Sequence, residues 1–211
     1  ASHPLRVTFI GKAAHVADKE YKGLNALDSL VDFYKRLKEL EETFDKPHLL
    51  GCIITEGGTA PNIVPDRATL KATVRALDTD YLENVMLPQI KSLAAEVAKD
   101  HHTPVETEHY EPLYKNMINN AALNVYFIEA FNALHEEFGV YEEEDAEGST
   151  DVGNVSHVTR AAQPEIAIGY HINAHTPEFA TAANSDFAYI QALTGAKAMA
   201  AVAAEVLFEK R

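Results

Sequence analysis

The sequence predicts a mixed α/β (α+β) protein that begins with a ferredoxin-like domain, in which strands and helices follow in the order β-α-β-β-α-β. Three observations support this prediction. Apolar and polar residues alternate over residues 5–10 and 68–76, which is typical of strands with one buried face. An apolar period of 3.6 residues follows each of these strands, as expected of helices that cover a sheet. Apolar residues make up 46% of the 211-residue chain, enough for a buried core.

The predicted elements of this domain are, in order, a strand over residues 5–10, a helix over 24–44, strands over 49–56 and 68–76, a helix over 79–99 and a strand over 104–110. A segment rich in glycine and proline, residues 57–66, predicts the loop between the second and third strands. Pro88 lies inside the second helix. We expect a kink there, because proline lacks the N–H that a helix interior needs.

The pattern changes beyond Pro112, so we expect two domains, residues 1–112 and 113–211. The second is predicted to contain an amphipathic helix over about 119–138, an acidic loop YEEEDAE, a short strand EIAIG and a C-terminal helix capped by Asn184 or Ser185. A lone strand needs neighbours and helices need a sheet to cover, so an incomplete α/β layer is expected. The chain opens with Ala1 and not with methionine, so we expect a fragment of a longer protein.

The charge balance excludes some classes of partner. With 18 basic and 32 acidic residues, the formal net charge is −14, which repels phosphate backbones and anionic lipids. We therefore expect no nucleic-acid or membrane partner, and no window resembles a membrane span or a signal peptide. The single cysteine, Cys52, cannot form an internal disulfide and lies in an apolar strand, which favours an inert core thiol and a cytoplasmic protein.

Candidate chemistry begins with ten histidines, but HExxH and Cys/His finger spacings are absent from the sequence. The closest pair is His171 and His175 in GYHINAHTPEF, where glycine and proline favour a loop. His175 is either a metal ligand or a loop histidine bonded to nearby backbone.

Two further segments carry candidate binding residues. GSTDVGN, residues 148–154, either leaves backbone N–H groups free for an anion or simply caps a helix, and Ser149 is not in a serine-hydrolase elbow. His15 follows the first strand in GKAAH, where small residues allow another surface to approach. Arg75, on the polar side of the third strand, either binds a carboxylate in a bidentate contact or is merely solvated.

Taken together, the segments GKAAHVADKEYKGLNALDSL, GGTAPNIVPDRATLKATVRA, GSTDVGNVSHV and HTPEF resemble a zinc-dependent metallopeptidase family. This family includes aminoacylases, glutamate carboxypeptidases and aminobenzoyl-glutamate hydrolases, and the likeness is greatest to its amidohydrolase branch. The resemblance implies a ferredoxin-like lid domain that forms a homodimer, followed by the C-terminal part of a zinc-binding α/β catalytic domain.

The resemblance also implies roles for individual residues. His15 corresponds to a lid histidine that reaches into the neighbouring subunit's active site and helps hold the oxyanion. Asn62 and Arg75 match lid positions that contact the substrate, a small acyl amino acid or dipeptide. Gly148, Ser149 and Asp151 match a pocket loop, and the last zinc ligand corresponds to His175.

The family's other ligands, an HxD pair, a bridging Asp and a Glu-Glu pair, precede the lid and do not occur in this chain. The resemblance implies a two-zinc site in the complete enzyme, and we expect the chain alone to bind zinc weakly and to lack activity. The alternative is a non-catalytic dimerisation or binding module derived from the lid.

Overall fold

The computed structural model describes residues 1–18, 20–137 and 148–208. The acidic stretch YEEEDAE, predicted as a loop, lies outside these residues. The chain divides into two compact units, residues 1–116 with 149–153, and residues 117–148 with 154–211. The boundary expected after residue 112 stays a prediction.

The first unit contains one sheet and the helices that cover it. Its elements are β1 (Ser2–Ile10), α1 (Ala26–Glu41), β2 (His48–Glu56), β3 (Arg67–Ala76), α2 (Thr79–Tyr81), a π-helical turn (Leu82–Met86), α3 (Leu87–Asp100) and β4 (Val105–His109). The strand order is β2-β3-β1-β4, with every neighbouring pair antiparallel. This order confirms the ferredoxin-like fold, because β1 and β2 are parallel and β3 lies between them.

The core lies between the sheet and the two long helices. Leu5, Val7 and Phe9 alternate along β1 and are fully buried, as their spacing predicts. Phe33 of α1 packs on Phe9, with ring centroids 5.8 Å apart. Asn25 caps α1, since its side-chain oxygen accepts a hydrogen bond from the Leu27 N–H at 3.0 Å.

Ion pairs join the outer faces of α1 and α3. Arg36 contacts Asp32 on its own helix and Asp100 on α3, and His101 bonds to the same Asp32 carboxylate at 3.0 Å. Burial raises the pKa of Asp32, but the hydrogen bonds from His101 and Arg36 outweigh it and hold that pKa below its ordinary value.

The helix has an irregularity next to Pro88, and the kink expected there stays a prediction. The helix widens into the π-helical turn just before proline, and α3 begins at Leu87 with Pro88 in its first turn. A proline in the first turn of a helix needs no N–H donor, so the wider turn removes the conflict. His102 follows α3 with φ of 56° and ends it in the left-handed conformation.

The second unit is helical in its described part. Its helices are α4 (Ala121–Ala133), most of α5 (Val152–Ser156), α6 (Pro177–Ala183) and α7 (Asp186–Phe208). Its core comprises Ala130, Phe131, Ala198 and Val202, from α4 and α7. Ser185 caps α7, as predicted, by accepting a hydrogen bond from the Ala188 N–H at 3.2 Å.

Two expectations for this unit are wrong. The apolar run EIAIG forms no strand, and Ile166 within it instead packs 3.4 Å from the site where Gly195 of α7 would carry a Cβ. Apolar side chains can therefore cover a helix without strand pairing. The helix predicted to reach residue 138 ends at Ala133, and His135 follows with φ of 58°.

The C-terminal helix corrects the statement that no window of the sequence resembles a membrane span. Over its 23 residues, α7 is long and apolar enough to span a membrane, with a mean hydropathy of 1.3 in the most apolar window. Only 17% of that window is buried within the chain. One such helix is weak evidence for a membrane span, since core helices of soluble proteins meet the same criterion.

Candidate substrate-binding site

His15 lies on an extension of the β1–β3 ladder, which we call the histidine arm (residues 11–18). The arm pairs with residues 62–66: the Val64 N–H donates to the Ala14 carbonyl at 2.8 Å, and the Val16 N–H donates to the Asn62 carbonyl at 3.1 Å. His15 therefore lies opposite Ile63 and next to Asn62. The structure brings these two predicted site residues together, and both are exposed.

The His15 ring is held by its own turn. The Ala17 N–H donates to Nδ1 at 3.2 Å, so Nδ1 is the acceptor and the neutral ring carries its proton on Nε2. Asp18 completes the turn by accepting hydrogen bonds from the Glu20 and Tyr21 N–H groups. Those bonds, first the one from Tyr21, lower the pKa of Asp18. An exposed Nε2–H donor is thus available to a ligand.

Gly11 and Gly23 lie in close backbone contacts at the start of the histidine arm. A Cβ added to Gly11 would lie 2.1 Å from the Leu24 carbonyl oxygen, and one added to Gly23 would lie 2.8 Å from the Lys12 carbonyl oxygen. Glycine is required where two backbones approach this closely. Sequence reasoning did not identify these two glycines as requirements of the site.

Arg75 lies at the opposite end of β3, in a polar cleft that we call the Arg75 cleft. Its Nε is buried and has no hydrogen-bond partner among the described residues. The cleft is lined by Ser2, Pro4, Thr73, Arg75, Glu111, Pro112, Tyr114 and Ser149. It therefore unites Arg75 and Ser149, two predicted substrate-binding residues that are far apart in sequence.

The segment of residues 149–153 belongs to the first unit, and its first residue, Ser149, lines the Arg75 cleft. A Cβ on Gly153 would lie 2.2 Å from the Lys115 carbonyl oxygen, so glycine permits the contact. Thr150 forms the local turn, because its hydroxyl accepts a hydrogen bond from the Val152 N–H at 3.3 Å. Asp151 is exposed and does not line the cleft, and the Cβ position of Gly148 is in open space.

Four of the predicted site residues thus form two clusters within the first unit, His15 with Asn62 and Arg75 with Ser149. Ser2 of β1 is paired with Arg75, and Ile10, where the histidine arm begins, is paired with Arg67. Eight residues of strand separate these pairs, a distance of roughly 26 Å. Sequence spacing alone does not reveal this separation, because it depends on strand register.

His175 lies in the second unit, is exposed and has φ of 63°, while His171 has φ of 57°. The left-handed conformation is tolerated by histidine but costs energy, so it often occurs where a loop has a specific task. Within residues 1–18, 20–137 and 148–208, no three His, Cys, Asp or Glu side chains are grouped so that they could hold a metal ion. His175 alone does not fit a tetrahedral zinc site, which takes at least three protein ligands.

Comparison with known proteins identifies the first unit. Residues 2–102 match the family model of the peptidase dimerisation domain. Over 99% of its length the chain is 34% identical to the mouse Xaa-Arg dipeptidase and 32% identical to the human one. It spans about half of these curated relatives, 49% and 48% of their lengths.

A solved structure shows the same fold. A putative aminohydrolase from methicillin-resistant Staphylococcus aureus superposes with a TM-score of 0.66 at 17% identity, covering 96% of this chain and 51% of that one. Residues 2–102 are therefore a peptidase dimerisation domain, as the lid motifs predict, and over its length the chain is similar to Xaa-Arg dipeptidases.

Proposed function

We propose that this chain supplies the substrate-recognition and dimerisation part of a metal-dependent, cytoplasmic amidohydrolase. The substrate class is a dipeptide or a small acyl amino acid with a free carboxylate. The names of both curated relatives, Xaa-Arg dipeptidase, support a peptide amide as the bond that is cleaved. Arg75, half-buried with an unpaired Nε, supports recognition of a carboxylate.

The distance between the two clusters is the observation that carries the proposal. A dipeptide is only about 7–10 Å long, so it cannot contact Arg75 and His15 of one chain across roughly 26 Å. A second copy of the chain can supply the other cluster. We therefore assign the two clusters of one active site to different subunits of a homodimer.

Each residue then has a chemical task. The Arg75 guanidinium binds the terminal carboxylate in a bidentate contact, and the Ser149 hydroxyl donates a further hydrogen bond. The partner's histidine arm supplies the Nε2–H of its His15 to the oxyanion that develops on the scissile carbonyl, with Asn62 beside it. His175 is proposed as one metal ligand. The described residues do not complete a metal site around it.

The outer edge of β2 is the proposed dimer surface. Within the described sheet β2 pairs only with β3, and it exposes Leu49 (56%) and Ile53 (64%). The neighbouring side of α1 exposes Val31 and Tyr34, and the bond from Lys38 Nζ to the Leu50 carbonyl holds this side over β2. An unpaired strand edge flanked by apolar side chains favours pairing with a second copy.

A mixed-subunit experiment tests the shared site. In protein expressed from its complete reading frame, His15→Ala and Arg75→Ala should each lower kcat/KM for a dipeptide at least about 100-fold. After subunit exchange, half of the dimers are mixed and each holds one intact site, so about a quarter of wild-type activity should return. No recovery in verified mixed dimers would show that both residues act within one subunit.

A second experiment tests the dimer surface. Ile53→Lys places a charge on the β2 edge and should convert the dimer to a monomer in light scattering. Val158→Lys introduces the same charge at a residue that is 84% exposed and serves as the matched control. A dimer that survives Ile53→Lys would refute the β2 edge, and a dimer without hydrolase activity in the complete protein would favour a non-catalytic module.

A further inference from the structure

The Arg75 cleft contains two charges of opposite sign that do not neutralise each other. Arg75 and Glu111 both line it, and neither forms an ion pair with any residue in the described part of the chain. Four hydroxyl-bearing residues, Ser2, Thr73, Tyr114 and Ser149, supply most of the remaining lining. A cleft of this kind suits a ligand that carries both an anionic and a cationic group.

Other charged side chains on the same sheet, unlike Arg75 and Glu111, contact partners within the protein. Arg6 is paired with Glu108 of β4, and its guanidinium lies 5.8 Å from the centre of the Tyr110 ring. Lys71 Nζ lies 4.7 Å from the same ring. These side chains have partners inside the protein. Glu111, one residue beyond that tyrosine, has no such ion pair and lines the cleft.

Backbone pairing fixes the positions of the two free charges. Ser2 and Tyr114 exchange hydrogen bonds of 2.7 and 3.0 Å, which hold the segment after β4 beside the start of β1. On the other side of β1, Ser2 is paired with Arg75. The backbone of Tyr114 thus lies two strand spacings from that of Arg75, roughly 10 Å, and Glu111 is three residues before Tyr114. Both charged side chains reach the same cleft, and the carboxylate and side-chain cation of one basic amino acid, about 6–8 Å apart, can contact one each.

We propose that Glu111 is a specificity-determining residue that binds the cationic side chain of the substrate's C-terminal residue, while Arg75 binds its carboxylate. This inference rests on the proposed function and assigns a residue to the basic C-terminal side chain that the name of the relatives, Xaa-Arg dipeptidase, indicates. The net charge of −14 also attracts cationic ligands over a longer range. A ligand with both charges leaves neither side chain of the cleft unpaired.

Citrulline provides the test, because it has nearly the shape of arginine without the charge. In the protein expressed from its complete reading frame, alanyl-arginine should be hydrolysed with a kcat/KM about 10-fold above that of alanyl-citrulline. Glu111→Gln should remove most of this preference by raising KM for alanyl-arginine, while alanyl-citrulline changes less than about twofold. Glu106→Gln, an exposed carboxylate earlier on β4, is the matched control and should leave both values unchanged.

Arg75→Ala should weaken both substrates equally, which separates carboxylate binding from side-chain selection. Equal effects of Glu111→Gln on the two substrates, or none, would overturn the inference while the proposed function stands. If neither dipeptide is hydrolysed, the proposed function fails, and titration calorimetry with Nα-acetylarginine and Nα-acetylcitrulline still decides the role of Glu111. Equal affinities of the wild-type protein for these two ligands would overturn it.

Discussion

Replacement of Gly11 by alanine tests the backbone contact at which β1 continues into the histidine arm. The new Cβ would lie 2.1 Å from the Leu24 carbonyl oxygen, 2.9 Å from the Ala26 nitrogen and 3.0 Å from the Pro65 carbonyl oxygen. All three neighbours are backbone atoms that cannot rotate away. The segments must therefore separate by more than 1 Å to reach ordinary contact distance.

The cost can be worked out from these contacts. Overpacking of this kind costs about 1–3 kcal/mol, and separation of the segments also weakens hydrogen bonds such as Gly11 N–H to the Asp66 carbonyl, at about 1 kcal/mol. We expect the free energy of unfolding to fall by about 3 kcal/mol, and Tm to fall by roughly 6–12 °C for a chain of this size.

Urea and thermal unfolding followed by circular dichroism measure this change. Gly51→Ala is the matched control, because a Cβ at Gly51 meets no atom within 4 Å, and it should leave stability unchanged or slightly raised. If Gly11→Ala unfolds within about 0.5 kcal/mol of the wild type, the close contact at the start of the arm does not exist in solution, and the reasoning fails.

Three further predictions concern the stability of the fold. Phe33→Ala removes a fully buried ring from the core and should cost about 3–5 kcal/mol in urea unfolding, whereas Tyr34→Ala, on the exposed side of α1, should cost much less. Ser185→Ala removes the cap of α7 and should cost about 1 kcal/mol, while Ser185→Asn, which can also cap, should retain most of it. Burial, with smaller effects from His109 and Lys91, lowers the pKa of His3 from 6.5 to about 4. The unfolded chain then binds more protons between these values, so the free energy of unfolding should rise with pH from about 4 to 6.5 and then level off. His3→Phe should flatten this rise in urea titrations at several pH values, and an unchanged slope would contradict the assignment.

The elements predicted most closely are those with a regular pattern and a local cause. Leu5, Val7 and Phe9 face the core as their alternation requires, and Ser185 caps α7 because its hydroxyl bonds within its own turn. The π-helical turn before Pro88 was not predictable, since a chain can resolve a proline conflict either by a kink or by a wider turn. The strand prediction for the EIAIG segment was wrong for a different reason. A short apolar run covers a helix as readily as it joins a sheet.

The candidate site was predictable as a set of residues and not as an arrangement. Motif matching selected His15, Asn62, Arg75 and Ser149 without their positions in the sheet. Register determines that two of them lie at each end of the β1–β3 ladder. Glu111 was missed because nothing near it in sequence marks it, and its significance depends on Ser2 and Tyr114, which bring its segment beside β1.

Strand β1 sets the distance between the two ends of the β1–β3 ladder. β1 is hydrogen-bonded along both edges, to β3 and β4, so its length cannot be adjusted by bending or slipping. An insertion of two residues would preserve which side chains face inward yet lengthen the interval by about 7 Å. The distance between the two binding clusters of each subunit is therefore set by the number of residues in β1, and a substitution at either end leaves that distance unchanged.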